Sequence, residues 1–437
     1  MKKILFFMGI IFANFNARAG DLLVTGQLSK NVLRYDGVTG AFVDEFVPPS
    51  DAFLQQPFGI AYGLDGNLYV LDVNFLQIVR FNGVTGEFLD IFEPNVSGDD
   101  LRLGPDGNFY ASDILNKQVL RLTTGGDATP FATGVPSPAG LAFGPDENLY
   151  VTSSADDSVR RFNGQTGQLI DEFIAPGSGG LNVPLGIAFG PDGNLYVASN
   201  ASDSVLRYRS SDGSFLDAFV PSGSNGLDGP SGLLFRSDGN LYVSSADSDQ
   251  ILRFDASTGA FVDAFVPAGS GGLDNPYFMT LMPAGELAFS ASHVDVNENG
   301  GAALIELTRT NGTNGNVTVQ FATSDGTALA GINYDSVVQT VTFLEGETAK
   351  SVEIPILDND VVAGNKTVNL SLSNPTDDAV LGTNSLAVLT IQDNDAKGGG
   401  GGCQLDGERS MPFQLSWSLW GIPVLVFAMQ SRYRDQR

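Results

Sequence analysis

The sequence predicts an all-β chain: a six-bladed β-propeller followed by a β-sandwich. Three observations predict it. A turn-and-strand unit recurs every 40 to 46 residues through the N-terminal two-thirds, the length of one four-stranded blade. The composition, with 53 Gly, 10% aromatic and only 17% charged residues, suits short strands and tight turns better than helices. From about Leu287 the period is lost, yet short strands divided by turn residues continue to about Asp395.

The repeat is carried by Asp65-Gly66-Asn67-Leu68-Tyr69, Asp106-Gly107-Asn108-Phe109-Tyr110, Asp146-Glu147-Asn148-Leu149-Tyr150, Asp192-Gly193-Asn194-Leu195-Tyr196 and Asp238-Gly239-Asn240-Leu241-Tyr242. Each unit reads as four strands, a to d. Gly186 to Phe189, Asn194 to Ala198, Val205 to Tyr208 and Phe215 to Val220 are one example. Pro191-Asp192-Gly193 and Ser211-Asp212-Gly213 supply the intervening turns. Strand count sets closure. The chain offers strands b, c and d at Leu22 to Thr25, Val32 to Tyr35 and Phe42 to Val47, then five full units, then a lone strand a at Tyr277 to Met282. Pairing that last strand with the first completes a sixth blade and removes two exposed sheet edges. A seventh blade is the rival, because Gly285-Glu286-Leu287 falls on the beat, but no strand c follows it.

The repeated Gly-Pro-Asp-Gly-Asn-Leu-Tyr-Val and Val-Leu-Arg-Phe segments resemble those of the NHL-repeat family and its gluconolactonase-like and streptogramin-lyase-like relatives, over residues 20–284. The resemblance implies the fold and says little about function. Catalytic relatives use metal-binding carboxylates, or a His acid–base, at the mouth of the channel. The single His of this chain, His293, lies beyond the last blade. Carboxylates do occur after the b strands, at Asp72, Asp113, Asp156, Asp157, Asp203, Asp247 and Asp249. They read either as a divalent-cation ring or as strand-terminating loop residues. Near-uniform repeats and apolar a strands weigh toward a binding or scaffold disc. No catalytic residue is assigned, and a secreted metal-dependent hydrolase or lactonase is the alternative.

The segment 287–396 resembles the Calx-β domain, an immunoglobulin-like sandwich. Glu298-Asn299-Gly300-Gly301, Asp325-Gly326-Thr327-Ala328, Gly346-Glu347-Thr348 and the two Asp-rich stretches at 358–360 and 393–395 carry the likeness. By position the resemblance implies a calcium site formed by Glu298, Asp358, Asp360, Asp393 and Asp395. Asn333, Asn359, Ala363, Lys366 and Asn394 stand where the resemblance implies acids. Fewer charges imply weak binding, of the order of 10⁻⁴ to 10⁻³ M as at extracellular sites.

The ends read as addresses. Lys2, Lys3, an apolar run and Ala17-Arg18-Ala19 predict a signal peptide, residues 1–19, cut after Ala19. A Gly-rich linker with the only Cys, Cys403, occupies 397–410, and an uncharged stretch with trailing Arg residues occupies 411–437. This layout resembles the C-terminal sorting signals of exported bacterial proteins, with Cys403 as the processing or lipidation point. A plain membrane anchor is the other reading. The expected location is the cell envelope or surface, anchored through the C-terminus. The net charge of −27 repels nucleic acid. The expected partner is an extracellular protein, peptide or glycan.

Overall fold

The computed structural model describes residues 20–376 and 379–395. Ala19, Cys403 and the expected signal, linker and tail lie outside the described residues. Among the described residues no helix is long and apolar enough to cross a membrane.

Six four-stranded antiparallel sheets form the N-terminal region. In the fifth blade the strands are Pro184–Phe189, Leu195–Ser199, Ser204–Tyr208 and Phe215–Val220, within two residues of the sequence-based bounds. The a strands of successive blades touch all the way round, including Pro276–Leu281 against Pro57–Tyr62. They are therefore the innermost strands. Closure follows the predicted pairing. Pro276–Leu281 pairs antiparallel with Leu22–Gly26, with Leu23 opposite Thr280 and Val24 opposite Met279. At that seam the Thr25 hydroxyl reaches the carbonyls of Phe58 and Phe278, at 2.9 and 3.0 Å.

The turn motif explains why five of the six blades form. Asp192 Oδ1 accepts the Asn194 backbone N–H, and its Oδ2 accepts the Asn194 side chain and the Tyr196 hydroxyl. Gly193, at φ 77°, supplies the left-handed residue that this turn needs. The Tyr196 ring meets Phe219 of its own blade and Phe235 of the next edge-on, both with centroids 4.9 Å apart. Such pairs contribute about 0.5–1.5 kcal/mol beyond area burial, so the same Tyr that closes a turn also joins two blades. Tyr110 and Tyr150 repeat the arrangement.

No seventh blade forms. Glu286–Phe289 pairs with Ala302–Thr310 in the sandwich instead. One sandwich sheet runs in the order Ala349–Pro355, Ala302–Thr310, Glu286–Phe289, Val380–Leu381. The other runs His293–Asn297, Leu386–Gln392, Lys366–Ser373, Val317–Asp325, Val338–Phe343. Alternate residues such as Ile305, Leu307, Val319, Phe321 and Leu370 point into one shared core. At the junction with the propeller the Arg309 guanidinium, 1% exposed, donates to the carbonyls of Ala284, Leu344, Asn314 and Gly315. Asn314 in turn bonds Asp21, accepting its N–H at 2.7 Å and donating to its carboxylate at 3.2 Å.

Candidate functional site

Parallel pairing builds the acidic end of the sandwich. His293–Asn297 lies beside Leu386–Gln392, with Asn297 opposite Gln392. Both strands stop at the same level, so the next residues of each, Glu298 and Asp393, emerge side by side. Carboxylate oxygens of Glu298, Asp393 and Asp395 lie within 4.8 Å of one another. Glu298 is 5% exposed, while the two Asp residues are half-buried.

The surrounding polar groups are organised around these acids. Asp393 Oδ2 accepts the N–H groups of Ala363 and Gly364, at 2.6 and 2.5 Å. Its own N–H meets Asn365 Oδ1 at 3.2 Å. The Asn299 N–H meets Asn394 Oδ1. Asn359 uses both ends of its amide: Oδ1 accepts the Val361 N–H, and Nδ2 donates to Glu298 Oε1. Asp358 and Asp360, also expected from the sequence, are exposed and lie outside the three-carboxylate group. Of that triplet, the middle residue Asn359 is the one that touches Glu298. Asn333 is folded into its own turn, accepting the Leu329 N–H, while its carbonyl accepts the Leu357 N–H. Lys366 begins the strand opposite Ile391.

Clustered hard carboxylate oxygens are the donor type that calcium takes, at six to eight oxygens and 2.3–2.6 Å. Three acids can supply three to six of them. The residues present therefore fit a calcium ion, with Glu298, Asp393 and Asp395 as its anionic holders.

The b–c loop carboxylates of the propeller are occupied differently. Asp72 accepts the N–H groups of Gln55, Gln56 and Phe75. Asp157, Asp203 and Asp249 accept the N–H groups of Val183, Gly229 and Asn275, just before the a strand of the following sheet. Asp113 bonds Asn116 and Gln118, Asp156 bonds Ser158 and Arg160, and Asp247 accepts the Asn275 amide. These groups fasten loops and successive blades.

The axis of the propeller shows a feature that the sequence reading missed. Five of the six blades open strand a with Pro, as in Pro57-Phe58-Gly59 and Pro138-Ala139-Gly140. The third blade has Gly98-Asp99-Asp100 there, and its strand a shrinks to Leu101–Leu103. Counting back from the turn Asp, Asp99 is the register equivalent of Phe58, Ala139, Leu185 and Ser231; Tyr277 holds the place in the closing blade. Phe58, Ala139, Leu185 and Tyr277 come from four blades and pack in one cluster, with the Phe58 and Tyr277 rings stacked at 4.1 Å. This register position therefore faces the axis. Asp100 is buried and structural: its Oδ2 accepts the Leu141 N–H of the next blade and Arg102 Nε, both at 3.0 Å. Burial and the neighbouring Asp100 push the Asp99 carboxyl up to about 7. The break from Pro-x-Gly was visible in the sequence and was the available signal.

Comparison with known proteins finds both regions. A model of the Calx-beta domain matches residues 283–395, and one of the Virginiamycin B lyase family matches residues 41–295. The chain is 35% identical over 100 residues to Adhesion G-protein coupled receptor V1 of Danio rerio, covering 23% of this chain and 2% of that protein. It is 31% identical over 134 residues to Sodium/calcium exchanger 1 of Canis lupus familiaris, covering 26% of this chain and 14% of that protein. The chain thus spans only a small part of the length of these relatives. A solved Streptogramin B lyase structure shares 16% identity, covering 69% of this chain and 93% of that one, with a TM-score of 0.41. The sandwich is a Calx-beta domain, and since the lyase-family match spans more than half of the 437 residues, the chain belongs to the virginiamycin B lyase family.

Proposed function

We propose that this is an exported binding or scaffold protein of the cell envelope, with the propeller as its recognition disc and the Calx-beta domain as a spacer that takes up calcium weakly. The convergence of Glu298, Asp393 and Asp395 within 4.8 Å carries the calcium reading. Three like charges this close repel one another, and a cation relieves the repulsion. The relatives named as exchangers give the same direction. Two observations support recognition over the lyase activity in the family's name. The only His, His293, sits on an exposed sandwich strand beside Asp295 and not in a blade. The b–c loop carboxylates that a metal-dependent hydrolase would gather are spent on N–H and amide donors. Envelope anchoring rests on the Gly-rich segment with Cys403 and the uncharged stretch after it, with an extracellular protein, peptide or glycan as the partner. Calcium titration of the full chain, followed by its melting temperature, tests the calcium part. Fractionation of the native host, with Cys403→Ser as the comparison, tests the anchoring: wild-type chain retained in the envelope supports it and wild-type chain found only in the medium contradicts it, while release of the variant assigns the anchor to Cys403 and its retention assigns it to the uncharged stretch.

A further inference from the structure

We propose that the mouth of the propeller channel binds an organic ammonium group, with the Asp99 carboxylate as its counter-ion and the stacked Phe58–Tyr277 pair as one aromatic wall. The inference rests on reading the propeller as a binding disc and supplies the ligand class.

Three observations converge. Asp99 is 8% exposed, and its carboxylate has no hydrogen-bond or ion-pair partner among the described residues; only its backbone N–H is bonded, to Ser112 Oγ. Buried carboxylates are ordinarily paired, and a native exception calls for an explanation. Tyr277, 9% exposed, likewise has a hydroxyl with no partner among the described residues, and its phenol feels the Asp99 charge. The third observation is symmetry. Six equivalent positions face the axis, and the apolar ones pack into the core. Only one blade places a carboxylate there, at the cost of its Pro and half of its strand a.

Charge and shape define the ligand. A carboxylate with no donor of its own needs a donor that brings positive charge. The outer face of a stacked aromatic pair attracts a cation through its quadrupole. The apolar surroundings of Phe58 and Leu185 favour a ligand whose ammonium is attached to an apolar body. The strongly negative chain draws cations toward it. Arg102, the nearest cation in sequence, is already held by Asp100 and lies over Phe278.

The test uses the full chain, with benzylammonium as probe and benzyl alcohol as its neutral counterpart, by calorimetry and ligand-observed NMR. Benzylammonium is expected to bind with a dissociation constant near the millimolar range, about −4 kcal/mol, and benzyl alcohol at least tenfold more weakly. Asp99→Asn should abolish benzylammonium binding while remaining folded, and Tyr277→Phe should weaken it severalfold. Unchanged binding to Asp99→Asn, equal binding of the alcohol, or no binding to the wild type overturns the proposal. So does displacement of the amine by magnesium or calcium only in chain that carries Asp99, which would make the site a metal site. The calcium response of the sandwich is read on the same samples, so failure here is separable from failure of the calcium reading. A peptide or glycan that binds the propeller unaffected by Asp99→Asn would keep the recognition disc and remove only this ligand class.

Discussion

The Tyr196 hydroxyl donates to Asp192 Oδ2 across 3.1 Å, and this bond links a turn, a blade and its neighbour. Arg207 reaches the same carboxylate at 3.3 Å and is held from the other side by Asp217. Tyr196→Phe should cost about 1 kcal/mol, because one hydrogen bond is lost while the ring contacts remain. Tyr196→Ala should cost about 3–5 kcal/mol, because the contacts to Phe219 and Phe235 go as well. Urea denaturation measures both, and equal effects would refute the division between bond and ring.

Asp99 and the turn carboxylates predict opposite pH dependences. Burial alone would raise Asp192, but bonds from Asn194 and Tyr196 and the Arg207 charge outweigh it and hold the group below its usual value. Its stabilisation is present above the unfolded-state value and is lost as pH falls through the folded one. Asp65, Asp106 and Asp146 behave alike. Asp99 is raised to about 7, so the folded state holds its proton more tightly than the unfolded state does. Its contribution falls as pH rises from about 4 to about 7. Asp99→Asn should therefore be more stable than the wild type at pH 8, with the difference vanishing near pH 4. Melting curves across that range check it, and a constant difference would exclude a buried unpaired carboxylate.

Asp203 and Asp249 join blades through the N–H groups of Gly229 and Asn275. Replacing either with Ala should lower stability by about 1–3 kcal/mol, since a part-buried N–H loses its acceptor. Neither change should alter a metal response, and metal-dependent turnover lost in Asp203→Ala would restore the hydrolase reading.

The Arg309 clamp on four carbonyls predicts that Arg309→Met destabilises the chain by roughly 2–4 kcal/mol even though the stem volume is kept, because buried acceptors are left unmet. Thermal unfolding reads the cost, and a neutral result would mean that water replaces the guanidinium.

The propeller was legible because its signals are local and repeated. The Asp-x-Asn-x-Tyr spacing encodes a turn, a phenol bond and an interblade ring in five residues. Closure through Leu22–Gly26 and Pro276–Leu281 followed from counting strands. Asp99 was not read, because the loss of one Pro at the start of strand a in one blade looks like drift until the register brings Asp99 to the axis beside Tyr277. In the sandwich, resemblance named the acidic loops but not their geometry. Glu298 and Asp393 meet because two parallel strands end together, a relation across 95 residues that spacing cannot reveal. Asn359, read as a missing charge, turns out to bond Glu298.

Calcium binding at Glu298, Asp393 and Asp395 tests the central claim most directly. Melting temperature of the full chain should rise modestly in millimolar calcium at constant ionic strength, by linkage to the folded state. Glu298→Gln and Asp393→Asn should each erase the rise, while Asp358→Asn should leave most of it. Sodium at matched ionic strength, which screens the charge of −27 without occupying the site, should not reproduce it. A calcium response that survives both Glu298→Gln and Asp393→Asn, or no response at about ten times the weakest affinity expected of such sites, would contradict the account.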